Sequence, residues 1–299
     1  MKIALMGCGR WAKNYISSIS ENKNLELTSI CNFRKIKFKT DCGAKIYSDW
    51  KELIGNEELD GVIIATDPMV QCEIALSLAK RKIPMVLEKP IALNREVAHE
   101  LELAFKKYKP LVLVNHFHLF HSVFREMCKL INRDKISHIE INDGSYGPFR
   151  KDISSLYDWA PHGLGIAFYL LKSTSTEFKV LREDGLKGGD IWRISSIFGK
   201  NTKVSLVCGN GFQNKKRDIS IYLQDHKDPV IFDLESNEPL KIAEISLDMS
   251  SENKFPMDNL LGEFYDLFNQ RHNFPHPSLE IAFGAIHMLN SISEKSKYI

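Results

Sequence analysis

Ile3-Ala4-Leu5-Met6-Gly7-Cys8-Gly9-Arg10-Trp11-Ala12 joins a short apolar run to a glycine turn and then to an amphipathic stretch. A four-residue run of this kind, with no alternation, reads as a strand covered on both faces. Gly7 permits the tight turn, Gly9 lets the backbone approach a pyrophosphate, and Ala12 fills the third slot of G-x-G-x-x-[GA]. A helix starting here turns its positive end toward phosphate charge. An isolated glycine turn with no ligand has the same letters. The strand before it and the helix after it decide for a dinucleotide loop, with Gly7, Gly9, Arg10, Trp11 and Ala12 as its lining.

The same alternation continues outward. Apolar runs over 2–6, 26–33, 61–66, 84–88 and 111–115 read as strands, and 11–20, 69–80 and 94–107 as amphipathic helices between them. That order predicts a parallel sheet wrapped by helices. A helix over 122–132 then leads into a different texture. Strands over 136–142, 179–183, 191–198, 203–208, 218–223 and 229–234 follow one another across Gly, Asn and Asp turns. A helix over 160–171 interrupts them, and helices over 258–269 and 278–294 come last. The expected fold class is an α/β Rossmann dinucleotide-binding domain over 1–118 plus an α+β domain over 119–299 with an open, mainly antiparallel sheet.

Composition narrows the function classes. With 43% apolar and 26% charged residues among 299, the chain has the make-up of a globular protein with a substantial core. A formal net charge of +2, without a basic tract, argues against nucleic acid or an acidic membrane surface as partner. No apolar stretch reaches membrane-spanning length, and Met1-Lys2 runs straight into a strand rather than an export signal. Cys8, Cys31, Cys42, Cys72, Cys128 and Cys208 are widely spaced with no C-x-x-C pair, which reads as reduced thiols in a cytoplasmic protein.

The end of the second strand bears on the cofactor. An Asp or Glu there ordinarily holds the ribose hydroxyls of NAD. Here Cys31-Asn32-Phe33-Arg34-Lys35 offers no carboxylate and two cations, so NADP(H) is preferred, with NAD(H) as the second choice. Asn32 and Arg34 are the expected contacts, Arg34 also suiting the adenine face. A solvated helix start is the plain alternative for Arg34 and Lys35.

Two further elements carry chemistry. Glu88-Lys89-Pro90 closes the run Ile83-Pro84-Met85-Val86-Leu87, which puts Lys89 where open α/β sheets bind ligands. A lysine there can donate a hydrogen bond to a substrate oxygen and stabilise developing negative charge. Asp158 and His162 stand four apart and share a helix face. Pro161 between them predicts that they lie in the first turn, where the positive helix end favours neutral imidazole and a carboxylate orients the ring.

Taken together, Gly7-x-Gly9-x-x-Ala12, Ala65-Thr66-Asp67-Pro68, Glu88-Lys89-Pro90 and Asp158-x-x-x-His162 resemble the glucose–fructose oxidoreductase/inositol dehydrogenase (Gfo/Idh/MocA) family over nearly the whole chain. The resemblance implies a catalytic group of Lys89, Asp158 and His162. His162 would exchange the proton of the substrate hydroxyl, Asp158 would orient it, and Lys89 would hydrogen-bond the reacting oxygen. It also implies that Thr66 and Pro68 line the nicotinamide side, that Glu88 helps bind the cofactor, and that a homodimer or homotetramer assembles through the C-terminal sheet. Departures stand in the same loops: Gln71 where members often carry histidine, Asp67 within the loop, and Asn32 for the usual acid.

Asn115-His116-Phe117-His118-Leu119-Phe120-His121 holds three histidines. A spacing of two could set His116 and His118 on one side as a metal pair, but no Cys or carboxylate cluster completes a site, so no metal is expected. The resemblance makes Asn115 and His116 polar contacts of the substrate cleft. Tyr146, Arg150 and Trp159, before or within the Asp/His element, suit a sugar ring and its polar groups, or alternatively plain aromatic packing.

The function expected is NAD(P)-dependent transfer of hydride between nicotinamide and a secondary alcohol or ketone of a sugar, sugar-nucleotide or polyol derivative. Reduction of a conjugated double bond, as in biliverdin reductases, is one rival reading. A non-enzymatic dinucleotide sensor is the other, and it has no need of Lys89, Asp158 and His162 together.

Overall fold

The computed structural model describes residues 1–33, 42–199, 201–242, 245–247, 255–270 and 277–296. They form two compact units, residues 1–120 with 255–283, and residues 121–254 with 284–299.

The first unit is built on a six-stranded sheet of order β3-β2-β1-β4-β5-β6. Its strands are β1 (Lys2–Met6), β2 (Glu26–Cys31), β3 (Lys45–Tyr47), β4 (Gly61–Ile64), β5 (Met85–Glu88) and β6 (Val112–Asn115), and every pairing is parallel. All four residues of β4, and of β6, are buried, which is why these runs show no alternation in sequence. Strand order reverses direction at β1, with β2 on one side and β4 on the other, and such a switch point opens a crevice beyond the carboxyl ends of the strands.

The helices between these strands are α1 (Ala12–Glu21), α2 (Trp50–Asn56), α3 (Pro68–Arg81) and α4 (Arg95–Tyr108). Asp67 caps α3 by accepting from the Val70 amide at 3.2 Å, and Pro68 takes the N1 position where no amide hydrogen is needed. Asn94 caps α4 in the same way through Val97. β3 and α2 were not expected from sequence. β3 is a three-residue edge strand with Lys45 and Ile46 exposed, so no apolar run announces it.

A late segment completes the unit. α7 (Pro256–Gln270) buries Leu260, Leu261 and Phe264, and a Cβ added at Gly61 would meet the Phe264 ring at 2.8 Å. Asn259 donates to the Phe120 carbonyl at 2.8 Å, and the Ser278 hydroxyl accepts from the Val114 amide of β6 at 2.9 Å. Ser278 belongs to α8 (Pro277–Ser296), and its neighbour Phe283 meets Phe105 of α4 edge-on.

The second unit holds an eight-stranded sheet of order β14-β13-β12-β11-β7-β10-β9-β8. These are β7 (Ile136–Tyr146), β8 (Phe178–Asp184), β9 (Asp190–Phe198), β10 (Thr202–Gly209), β11 (Gly211–Leu223), β12 (Val230–Asp233), β13 (Leu240–Ile242) and β14 (Ile245–Leu247). Pairing is antiparallel except between β10 and β7, which run parallel. One face is apolar, with Ile139, Ile141, Ile194, Val204, Leu206, Ile219 and Ile221 buried. Alternate residues such as His138, Glu140 and Ser205 are only partly covered, the alternation of a sheet packed on one side. α5 (Ser122–Leu130) and α6 (Ser155–Leu171) belong to this unit. α6 approaches β10 so closely that a Cβ at Gly163 would lie 2.5 Å from Leu206.

Among the described residues no helix is long and apolar enough to cross a membrane. Five cysteines are buried, Cys42 is exposed, and none forms a disulfide.

Candidate functional site

The glycine loop leaves β1 at the switch point. Gly7 has φ +105°, a conformation that favours glycine, and its amide donates to the Cys31 carbonyl at 2.9 Å. A Cβ there would stand 2.5 Å from the Ala65 carbonyl oxygen. Gly9 differs in kind. It is exposed, and a Cβ on it would find no atom within 4 Å. The open space over Gly9 and the start of α1 immediately after it are the cradle a pyrophosphate requires, so the loop fits a dinucleotide. Arg10 and Trp11 are exposed beside this opening, and Ala12 is buried against the sheet.

Asn32 follows β2, and its amide donates to the Tyr47 carbonyl at 2.8 Å. Arg34 and Lys35 lie outside the described residues. The structure adds charges that sequence reading missed. Burial pushes the Cys31 thiol up to about 12, and the negative charges of Asp49 and Glu52 add to the shift. Asp49 caps α2 through the Lys51 amide, far along the chain from the β2 terminus whose field it shapes.

At the ends of β4 and β5 stand the other expected cofactor residues. The Thr66 hydroxyl donates to the Asp67 carbonyl at 3.1 Å, and Pro68 opens α3. Glu88, half-buried, ends β5 in a triad with the buried Tyr15 and Asn115. Tyr15 donates to its Oε1 at 2.5 Å, Asn115 Nδ2 donates to the same oxygen at 2.9 Å, and Asn115 also reaches the Tyr15 hydroxyl at 3.1 Å. Burial raises the Glu88 pKa, opposed by these hydrogen bonds and by the Lys89 charge. The Tyr15 hydroxyl is pushed well above its ordinary value by burial and the Glu88 charge. Asn115 thus uses its side-chain donor within the unit, tying α1 to β5 and β6.

Lys89 is partly exposed just past β5, and its bond to Pro90 is cis. Gln71, noted in sequence only as a departure, is 1% exposed and bonded to the backbone on both sides of Lys89. His116 is 3% exposed, and neither ring nitrogen has a hydrogen-bond partner among the described residues. Burial, aided by the Lys89 charge, drives its pKa down to about 3, so the ring is neutral. The chain turns into a 3-10 helix over Phe117–Phe120, so His116 and His118 do not alternate along one strand face as a metal pair would require. No group of three or more His, Cys, Asp or Glu side chains among the described residues is set to hold a metal ion.

Asp158, His162, Tyr146, Arg150 and Trp159 belong to the second unit. α6 starts at Ser155, five residues before the expected start, with Ser154 as its cap. Pro161 therefore lies inside the helix, and its missing amide hydrogen leaves the Tyr157 carbonyl without the usual helical donor. Asp158 stays in the first turn, whereas His162 lies a turn deeper, beyond the reach of the terminal dipole. The expected dipole effect on His162 falls away, and the shared face at a spacing of four remains.

A polar network fixes the first turn of α6. The Ser155 hydroxyl donates to Asp190 and accepts from Trp192 Nε1 at 2.9 Å, while Arg182 pairs with Asp190 at 2.6 Å. Arg150 forms an ion pair with Asp152 at 2.6 Å and reaches Asp158 at 3.5 Å, and these carboxylates raise its pKa. Its guanidinium thereby supports the Asp158 side. Trp159 is buried, with Nε1 lacking a partner among the described residues. Tyr146 is exposed, edge-on to Phe149 and under the Lys187 ammonium.

Known proteins resemble this chain in its fold and over its first 116 residues. Residues 1–116 match the GFO_IDH_MocA family, described as an oxidoreductase family with an NAD-binding Rossmann fold. The chain is 25% identical over 182 residues to inositol 2-dehydrogenase 2 of Saccharopolyspora erythraea, covering 57% of this chain and 54% of that protein. It thus spans about half the length of that relative. A myo-inositol dehydrogenase from Corynebacterium glutamicum has a similar fold, with a TM-score of 0.80 at 17% identity, over 100% of this chain and 97% of the other. Biliverdin reductase from Synechocystis sp. PCC 6803, solved with biliverdin and NADP+, gives 0.79 at 17% identity over 98% of both chains. At such identities the likeness shows the fold alone.

Proposed function

We propose that the chain is an NAD(P)-dependent dehydrogenase or reductase, a reading supported by the match of residues 1–116 to the Gfo/Idh/MocA oxidoreductase family with its NAD-binding Rossmann fold. Its substrate is a secondary alcohol or ketone of a sugar, sugar-nucleotide or polyol. The observation that carries the reading lies within the first unit. The open glycine loop after β1 and Glu88-Lys89-Pro90 at the end of β5 both stand at the carboxyl edge of one parallel sheet, where such folds bind cofactor and substrate.

Gly7, Gly9, Arg10, Trp11 and Ala12 hold the pyrophosphate, Asn32 and Arg34 the adenosine end, and Thr66, Pro68, Glu88 and Lys89 the nicotinamide side. The bound nicotinamide supplies the hydride acceptor or donor. His162 accepts the substrate hydroxyl proton in oxidation and returns it in reduction, so a neutral ring is the working form in the first direction. Asp158, supported by Arg150, orients that ring. Lys89 donates to the reacting oxygen and stabilises charge developing on it. His116, neutral and with both ring nitrogens unpartnered among the described residues, is suited to contact substrate hydroxyls, and Asn115, expected beside it, serves the site through its bonds to Glu88 and Tyr15. Tyr146 and Trp159 supply aromatic surface for a sugar ring.

NADP(H) is the preferred cofactor, on the strength of Asn32 standing where NAD-binding members of the fold use an acid. The chain works in the cytoplasm as a homodimer or homotetramer assembled through the C-terminal sheet. Parallel fluorescence titrations with NADPH and NADH test the cofactor, and a screen of ketosugars and cyclitols tests the reaction. NADPH binding at least about tenfold tighter is expected. Replacing His162 by Ala should lower turnover by about 10²–10⁴-fold while sparing cofactor binding. Unchanged turnover of a conjugated double bond by the same variant would favour the biliverdin reductase reading instead. Tight cofactor binding without any turnover would favour a sensor.

A further inference from the structure

Gln71 sits in the first turn of α3, one turn after Asp67 and Pro68, with 1% of its surface exposed. Its Nε2 donates to the Glu88 carbonyl at 2.8 Å and to the Pro90 carbonyl at 3.1 Å, while its Oε1 accepts from the Glu88 amide at 2.8 Å. One carboxamide therefore satisfies three main-chain groups on the two residues that flank Lys89. The requirement is for two donors and one acceptor on a single short side chain. Glutamine meets it, a histidine offers one donor and one acceptor, and an ionised glutamate offers no donor at all. The neighbouring Cys72 thiol adds a contact to the Ile91 carbonyl at 3.1 Å.

We infer that Gln71 is the positioning residue of Lys89: it locks the Glu88-Lys89-Pro90 turn to the start of α3, so that the lysine keeps one place relative to the Thr66-Asp67-Pro68 loop. The inference rests on the oxidoreductase reading only for the role of Lys89; the clamp itself does not depend on it. Gln71 touches neither substrate nor cofactor. It acts by removing freedom from the backbone that carries the ammonium, and orientation errors of about 1 Å at a reacting group cost about 100-fold in rate.

The test compares wild type with Gln71→Ala, Gln71→Glu, Gln71→His and Lys89→Met in the NADPH-bound 299-residue chain. The first readout needs no substrate. Lysines are reductively methylated with ¹³C-formaldehyde, and the Lys89 signal is identified by its loss in Lys89→Met. In wild type it should be displaced from the exposed-lysine position. Gln71→Ala and Gln71→Glu should move it toward that position, and Gln71→His should restore part of the displacement.

The second readout is turnover of a substrate found by screening. Gln71→Ala should lower kcat by about tenfold or more with KM and NADPH affinity within about threefold, and Gln71→His should recover part of the loss. A Lys89 signal that stays in place in both Gln71→Ala and Gln71→Glu would overturn the inference, as would unchanged kcat. If Gln71→Ala does not fold, Gln71→Glu and Gln71→His give the same comparison. Absence of turnover in wild type would sink the oxidoreductase reading, while the methyl-lysine signal would still decide whether Gln71 holds Lys89.

Discussion

The two glycines of the loop after β1 are expected to respond differently to the same added methyl group. At Gly7 the backbone φ of +105° is unfavourable for alanine, a cost of about 1–3 kcal/mol. The added Cβ would also lie 2.5 Å from the Ala65 carbonyl oxygen and 2.9 Å from its carbon, backbone atoms that cannot swing aside, and such overpacking adds about 1–3 kcal/mol. Gly7→Ala should therefore lose about 2–6 kcal/mol of stability, enough to show as a large drop in urea midpoint, and weaken dinucleotide binding as the turn distorts. At Gly9 nothing lies within 4 Å of the new Cβ. Gly9→Ala should stay within about 0.5 kcal/mol of wild type in the same unfolding experiment. Its methyl group instead projects where the pyrophosphate approaches, so NADPH affinity in a fluorescence titration should fall at least about tenfold, or 1.4 kcal/mol. A Gly9→Ala protein that binds NADPH and NADH as wild type does would refute the cradle. A Gly7→Ala protein of undiminished stability would refute the steric argument.

Other consequences are equally open to measurement. The folded-state pKa of His116 falls from 6.5 to about 3 and that of His121 to about 4, mainly through burial, so the unfolded chain binds more protons in this window. Stability should therefore decline as pH falls from about 6.5 toward 4, with His116 alone contributing about 2 kcal/mol between pH 7 and pH 5. Glu88, shifted upward, gives a slope of the opposite sign above its ordinary value, so the comparison is between wild type and His116→Leu. An identical pH slope in both would count against the buried neutral ring. Asp190→Ala should leave Ser155 and Arg182 without their shared partner and cost about 1–3 kcal/mol, read by urea unfolding. Ser278→Ala should cost a similar amount by orphaning the buried Val114 amide, and a neutral result would mean that water or backbone takes over the bond.

Sequence reading was surest where one local rule governs. The strands β1, β4, β5 and β6 are built on apolar runs of three or four residues, and the glycine loop announces itself by spacing. β3 escaped because an exposed edge strand carries no periodic signal. Pro161 points in sequence to a helix start beside it, yet α6 begins six residues earlier. The cap at Ser154 and the Ser155–Asp190–Trp192 network set the start instead, and those partners are far apart in sequence. The parallel pairing of β10 with β7 is likewise a long-range fact that no adjacent turn encodes. At the site, the letters Asn115 and Gln71 gave the residue types but not their roles. Asn115 turns inward to Glu88 and Tyr15, and Gln71 works on backbone atoms seventeen and nineteen positions away.

That the first unit recruits residues 255–283 has a consequence during synthesis. When Val114 of β6 has been added to the growing chain, the Ser278 hydroxyl that receives its amide is still 164 residues from being made, and the helix carrying Phe264 is also still to come. At roughly 5–20 residues per second the gap lasts on the order of 8–30 s. Through that interval the Gly61 end of β4 and the β6 amide have no native cover. A ribosome-bound chain halted near residue 150 should accordingly be more sensitive to protease in its first 120 residues than one halted after the last helix. The sheet is thus translated well before the helices that finish it.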